Sequence, residues 1–379
     1  MNILIWSPYL QKVGTTSNVY NLIHGVTKYS KHNINSIDLI NVFGEWDDYR
    51  FKNIKVNKIP LLNSCILKKI NKHGYIRSRF FTILIFVFSF LPLLNLLKKK
   101  DYDFFFIHLI TSLPIFLTNF YKKPKLILHV SGFPKLTIFR KLFWRKYQKN
   151  IFKVICPSAE TKNLLINNNI FERKKIVVIK DPHISANYIM KMKKNDVNDI
   201  SDSFKNILAI GRLTKQKNYI FLLQAFKKIL SIKDNLRLLI IGEGEERKNI
   251  ESEIKKLNLM NNVKLLGFQN NIYKYLNNSI CYFSTSLWEG PDLAMLDAAF
   301  SNVPIICSDC KSGRKEFIGD NERGYKFKTN DLKSAIKALE FFLKDKDSEI
   351  KQKLIKAKKE VKNFTQFRYC QKLDEILLD

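Results

Sequence analysis

The stretch 204–218, FKNILAIGRLTKQKN, decides how the rest of the chain is read. Its apolar run 207–210 has the length of a short buried strand and ends at Gly211, where the backbone is free to turn tightly. Arg212, Lys215 and Lys217 follow, and then Asn218 opens NYIFLLQAFKKIL (218–230), which is amphipathic at helical period. Arg212 and Lys217 therefore sit at a helix N-terminus, where backbone N–H groups already favour an anion. Two fixed cations there suit a diphosphate, and the Arg can hold it bidentately.

Working outward, apolar runs recur at 236–241, 263–266, 280–283, 304–307 and 325–327, with amphipathic stretches such as EERKNIESEIKKL (245–257) between most of them. That alternation means β-α-β units and a parallel, doubly wound sheet. Upstream, runs at 3–6, 37–43, 104–108, 125–130, 154–156 and 177–179 repeat the theme less regularly. The polar stretch MKMKKNDVNDISDS (190–203) reads as a linker. The expected organisation is a first α/β domain over 1–189, the linker, a second over 204–362, and a helix over 363–379 packing back on the first. Two doubly wound domains facing one another place a ligand cleft between the C-terminal edges of their sheets.

With 379 residues, 46% of them hydrophobic and 26% charged, the chain is globular and long enough for two cores. Its 65 basic residues outnumber 34 acidic ones, and the excess is localised. Residues 51–100 hold eleven Lys or Arg and no acid, and 101–150 hold nine against two, a net +18 of the total +31. Such a surface attracts phosphates, on nucleic acid or on anionic lipid. No nucleic-acid motif accompanies it, and no aromatic platform, so no nucleic-acid partner is expected. Instead the basic region brackets 80–97, FFTILIFVFSFLPLLNLL, between Arg77 and Arg79 on one side and Lys98, Lys99 and Lys100 on the other. Basic flanks at both ends argue against a span. The expectation is a helix partly in the core and partly in a membrane surface, with Phe80 and Phe81 in lipid and those five cations at the headgroups. Six cysteines lie scattered, and Cys307 and Cys310 form a lone C-x-x-C without a second pair, so no metal is expected. The opening MNILIWSPYL reads as a strand and not as a signal peptide, which points to the cytoplasm, on the inner face of the plasma membrane.

A pair of acids stands at the end of the 280–283 strand. In EGPDLAMLDAA (289–299), Glu289 falls in the loop at the strand's C-terminal edge, Pro291 and Asp292 suit a first helical turn, and Asp297 lies one turn on. Acids so placed accept hydrogen bonds from sugar hydroxyls. The plainer alternatives are a helix-dipole partner for Glu289 and an exposed helical acid for Asp297. GEGEER (242–247) looks like a phosphate turn, but its acids repel phosphate, so it is read as a structural turn.

Taken together, the IGRL of 210–213 with Lys217-Asn218, the Gly267-Phe268 turn, EGPDLAMLDAA and VPIICSDCKSGRKEFI (303–318) resemble family 4 glycosyltransferases of the GT-B fold. DYDFFFIHLITSLP (101–114) and KLILHVSGFPKL (125–136) are similar, more loosely, to the enzymes that build bacterial capsules and lipopolysaccharide O-antigens. The resemblance implies a retaining hexosyltransferase with two Rossmann-like domains across a cleft, using a nucleotide-diphosphate sugar, UDP-sugar favoured, and no cofactor. The acceptor would be lipid-linked or a growing surface glycan. It assigns Glu289 to the transferred sugar, Asp297 to the donor ribose, and Arg212 and Lys217 to the diphosphate. Gly267 and Phe268 face the base, and the amides after Pro291, of Asp292 and Leu293, meet the sugar or distal phosphate. Gly211 and Gly14, the latter all that remains of a glycine-rich loop in KVGTTSN (12–18), line the donor site. The family's His-Gly appears as Ser131-Gly132, which leaves His129 as the candidate active-site histidine and His108 as a packed one. Three other readings compete: a metal-dependent transferase using Asp101 and Asp103 as a D-x-D, a GT-B-like epimerase or phosphorylase, and a non-enzymatic basic membrane- or nucleic-acid-binding protein.

Overall fold

The computed structural model describes residues 1–10, 14–51, 54–62, 75–194, 204–289, 292–310 and 313–378. The central apolar runs become strands because each buries both faces under helices, as parallel sheets require, while the outer strands Ile176–Val178 and Val263–Leu265 stay partly exposed. Unit 1 comprises Met1–His183 together with Gln366–Asp379, and unit 2 comprises Ile184–Thr365. The crossing thus falls earlier than the expected linker: helix Ala186–Met192 already buries Ile189 in a core cluster of unit 2. Most of that linker, 195–203, lies outside the described residues.

Unit 1 holds a seven-stranded, wholly parallel sheet ordered β3-β2-β1-β4-β5-β6-β7. Its strands are β1 (Asn2–Trp6), β2 (Ser36–Asn41), β3 (Asn57–Pro60), β4 (Phe104–Ile107), β5 (Lys125–His129), β6 (Lys153–Cys156) and β7 (Ile176–Val178). Alternation sends Leu4, Phe105 and Leu128 to one face, against Ile85, Leu93 and Leu97 of helix Tyr75–Lys99. Ile3, Phe104 and Ile127 go to the other, against helices Gly14–Tyr29 and Gln366–Leu378. The second of those helices is tied down by Asp374, which accepts from Ser30 Oγ at 2.7 Å and Lys31 N at 2.9 Å.

Unit 2 repeats the plan with a six-stranded parallel sheet ordered β10-β9-β8-β11-β12-β13. These are β8 (Lys205–Ile210), β9 (Leu236–Ile241), β10 (Val263–Leu265), β11 (Cys281–Ser284), β12 (Ile305–Ser308) and β13 (Tyr325–Phe327). In each sheet the strand order reverses once, between β1 and β4 and between β8 and β11, and ligands of open α/β sheets bind outside the strand ends at such a switch.

Two residues expected at a membrane are committed inward instead. Phe81 is buried in unit 1, because the helix turns that face to the core. Lys100 reaches Asp38 on β2 at 2.6 Å, where Tyr102 OH (2.6 Å) and Asn57 Nδ2 (2.8 Å) also donate. Burial disfavours the Asp38 carboxylate, but those three donors outweigh it and hold its pKa below the usual range. Asp38→Ala leaves the buried Tyr102 hydroxyl without an acceptor and should cost unit 1 about 2 kcal/mol, measured by urea denaturation.

Candidate active site

At the switch point of the second sheet the loops after β8 and β11 are laced together. Beyond Ile210 the chain turns at Gly211 (φ 155°), where a Cβ would stand 2.6 Å from Lys217 Cε. A short 3-10 turn, Lys215–Lys217, ends at Asn218 in the left-handed region (φ 55°). Thr285 Oγ1, just past β11, donates to the carbonyls of Lys217 and Asn218, each at 3.0 Å. Leu287 N donates to Gln216 O at 2.8 Å, and Gln216 Nε2 returns a bond to Trp288 O at 2.7 Å. The lacing brings Lys217 Nζ to 2.5 Å from Glu289 Oε1, with Gln216 Nε2 at 3.4 Å from Oε2. Arg212, on the same loop, extends into solvent. A loop cation and a loop acid named from sequence thus meet as an ion pair.

Beneath Glu289 lies a guanidinium that sequence reading passed over. Arg314 opens the helix Arg314–Ile318 and is 0% exposed. Its Nη2 donates to Asp292 Oδ2 and, at 3.3 Å, to Ser286 Oγ, and it lies 3.6 Å from Glu289 Oε1. Its Nη1 donates to Ser308 Oγ at 2.9 Å, and Ser308 Oγ donates to Ser286 O at 2.6 Å. Asp292 caps helix Leu293–Phe300, accepting from Met295 N at 3.4 Å. Burial opposes both charges, yet Arg314 and then Lys217 pull the Asp292 carboxyl below its usual range, and Asp292 in turn raises the Arg314 guanidinium. Arg314 sits beside two other basic residues in a CKSGRKEF run, which reads as a surface face. Its sequence signals were its place in the 303–318 stretch that carries the resemblance and the serines, Ser284 and Ser308, that end two neighbouring strands.

The neighbouring loops close the edge. Gly242 (φ 143°) lies so near β8 that a Cβ would stand 1.9 Å from Gly211 O, and its N–H donates to Gly267 O at 2.8 Å. Glu243 and Glu251 pair with Arg247, in keeping with a structural turn for GEGEER. Phe268 stands 73% exposed beside Gly267.

Asp297 is not an exposed helical acid. It is 4% exposed and accepts from Tyr273 OH at 2.9 Å, and burial followed by Asp297 pushes that phenol's pKa upward. Leu293 is the first residue of its helix, half-buried, while Gly290 and Pro291 lie outside the described residues. In unit 1, Gly14 begins the helix after β1. His129 is buried, its Nε2 3.1 Å from Asp181 Oδ1, and it stacks on His108 with ring centroids 4.7 Å apart. Burial, then the neighbouring His129, holds His108 well below the usual histidine range. Asp103 accepts from Asn2 N at 2.7 Å and Asp101 pairs with Lys123 at 2.5 Å, so the D-x-D acids are occupied with capping and surface pairing.

Residues 190–361 match the family model of glycosyl transferases group 1. The chain carries a group 1 glycosyl transferase domain. An uncharacterized glycosyltransferase of Methanocaldococcus jannaschii is 35% identical over 45% of this chain, which spans only 39% of that relative's length. A Campylobacter jejuni enzyme, N-acetylgalactosamine-N,N'-diacetylbacillosaminyl-diphospho-undecaprenol 4-alpha-N-acetylgalactosaminyltransferase, is 28% identical over 69% of this chain and 74% of its own. Among solved structures, Anabaena HepE in complex with UDP superposes with a TM-score of 0.74, covering 100% of both chains at 14% identity. That likeness, with the two parallel sheets, places the chain in the GT-B fold.

Asp292→Asn leaves Arg314 buried beside a neutral amide and should cost about 3–5 kcal/mol of unit 2 stability at pH 7. A depressed carboxyl contributes stability above its unfolded pKa of about 3.9 and loses it as pH falls through the folded value. Parent and variant should therefore converge only on acidification below pH ~4, as read from urea denaturation across pH.

Proposed function

We propose that this chain moves a hexose-type sugar from a nucleotide diphosphate, uridine in preference, to a lipid-linked or growing surface-glycan acceptor. In this reading the transfer retains anomeric configuration, uses no metal ion, and takes place at the inner face of the plasma membrane. The observation that carries it is the Lys217–Glu289 pair at the switch point of a group 1 domain, with Arg212 exposed on the same loop.

A diphosphate drawn to Arg212 competes with Glu289 for the Lys217 ammonium. Lys217 then bridges the departing phosphates and the carboxylate, while Glu289 accepts from the sugar's hydroxyls. The two cations offset the charge that grows on the nucleotide as the glycosidic bond breaks, a task that falls to a divalent ion in metal-dependent transferases. Arg314 and Asp292 hold the loop acid from behind, so it need not reorganise during the reaction. The diphospho-undecaprenol and the alpha linkage in the Campylobacter jejuni relative's name support a lipid-linked acceptor and an axial product.

A panel of UDP- and GDP-sugars should show a UDP-sugar raising the melting temperature by mass action, with the shift and the turnover unchanged in excess EDTA. Glu289→Ala should lower turnover by roughly 100-fold or more while moving the melting temperature by only about 2–4 °C. The anomeric proton coupling of the product should match that of the donor. Unchanged turnover in the variant, or loss of activity in EDTA, would overturn the assignment.

A further inference from the structure

Unit 1 carries apolar side chains in water on two helices. Helix Tyr75–Lys99 buries Phe81, Ile85, Leu93 and Leu97, yet Phe80, Ile83, Val87, Phe88 and Leu91 stand 57–63% exposed. Their spacing follows the helical repeat, so they form one stripe opposite the buried face. Helix Ile138–Tyr147 does the same in miniature: Trp144 and Tyr147 are buried, while Ile138, Phe139 and Leu142 at its N-terminal end are 57–85% exposed. The two helices are neighbours: Phe86 and Phe90 of the longer one and Tyr147 of the shorter one all pack on Phe116, with ring centroids 5.8–6.3 Å apart. Single exposed leucines are ordinary, but a stripe and a second cluster beside it make a patch that calls for a cover.

Charge says what that cover is. Neither helix contains an acid, and Arg77, Arg79, Lys98 and Lys99 mark the exposed ends of the first while Arg140, Arg145 and Lys146 line the second. Apolar residues ringed by cations match a leaflet of acyl chains under anionic headgroups. Helix Tyr75–Lys99 is long and apolar enough to cross a bilayer, but its core face packs against β-sheet residues such as Leu4 and Phe105. A spanning helix would lose that packing; one lying in the interface keeps it.

We propose that the helices Tyr75–Lys99 and Ile138–Tyr147 form a single docking surface for an anionic membrane, with Ile138, Phe139 and Leu142 inserting beside the stripe of the longer helix. The surface is independent of the transfer chemistry and stands whether or not the chain is a transferase.

Vesicle flotation of the full chain tests it, with phosphatidylglycerol–phosphatidylcholine vesicles against phosphatidylcholine alone. The parent should float with the anionic vesicles and release as salt is raised. Phe139→Glu/Leu142→Glu and, separately, Val87→Glu/Leu91→Glu should each weaken partitioning roughly tenfold or more, since each strips two inserted side chains. All four positions are exposed, so the melting temperature should stay at the parent's value. Parent-like flotation of the Phe139/Leu142 variant overturns the two-helix surface. So does a concentration-dependent dimer in vesicle-free buffer that either variant dissolves, because the patch would then be covered by a second copy.

Discussion

The guanidinium of Arg314 has no route to water, and the edge of the second sheet is arranged around that fact. A buried cation survives only with an anion and acceptors beside it, so the ends of β11 and β12 supply serines to its two terminal nitrogens and the start of helix Leu293–Phe300 supplies Asp292. Three pieces of chain, the ends of β11 and β12 and the start of helix Leu293–Phe300, are thereby pinned to one group. Glu289, three residues before Asp292, inherits a fixed position from that constraint, and Lys217 and Gln216 complete its surroundings.

A second constraint is steric. The loops after β8, β9 and β10 approach as bare backbone, Gly242 against Gly211 and Gly242 N–H on Gly267 O. Side chains at these places would push the loops apart and with them the platform on which Arg212 and Lys217 stand. Charge pairing and backbone contact thus act on the same edge from opposite sides of the switch point.

Much of this was legible in the sequence. Every apolar run named there lies on a strand, because a strand buried on both faces has to be apolar throughout. The strand that escaped is β3, Asn57–Pro60: at the sheet edge it pairs on one side only, stays largely exposed and tolerates a proline. Glu289 and Lys217 were legible because a strand's end fixes where the next few residues project. Arg314 was not, since its partners come from separate loops and leave no periodic trace. Composition also could not orient helix Tyr75–Lys99, where Phe80 faces water and its neighbour Phe81 the core. Lys100 looked like its neighbours Lys98 and Lys99 because Asp38, its partner, lies 62 positions away.

Helix Gln366–Leu378 belongs to unit 1 although all of unit 2 precedes it in sequence. During synthesis, then, unit 2 is a continuous stretch that is free to fold as it leaves the ribosome, whereas unit 1 is made in two instalments. Until the second arrives, helix Gly14–Tyr29 leaves Gly25, where a Cβ would stand 3.0 Å from Cys370 Sγ, without its neighbour, and Asn21 lacks the bond from Gln366. The first unit to begin translation is thus the last to close, and Ile184 and Thr365, bridged side by side in unit 2, mark where the chain leaves it and where it returns.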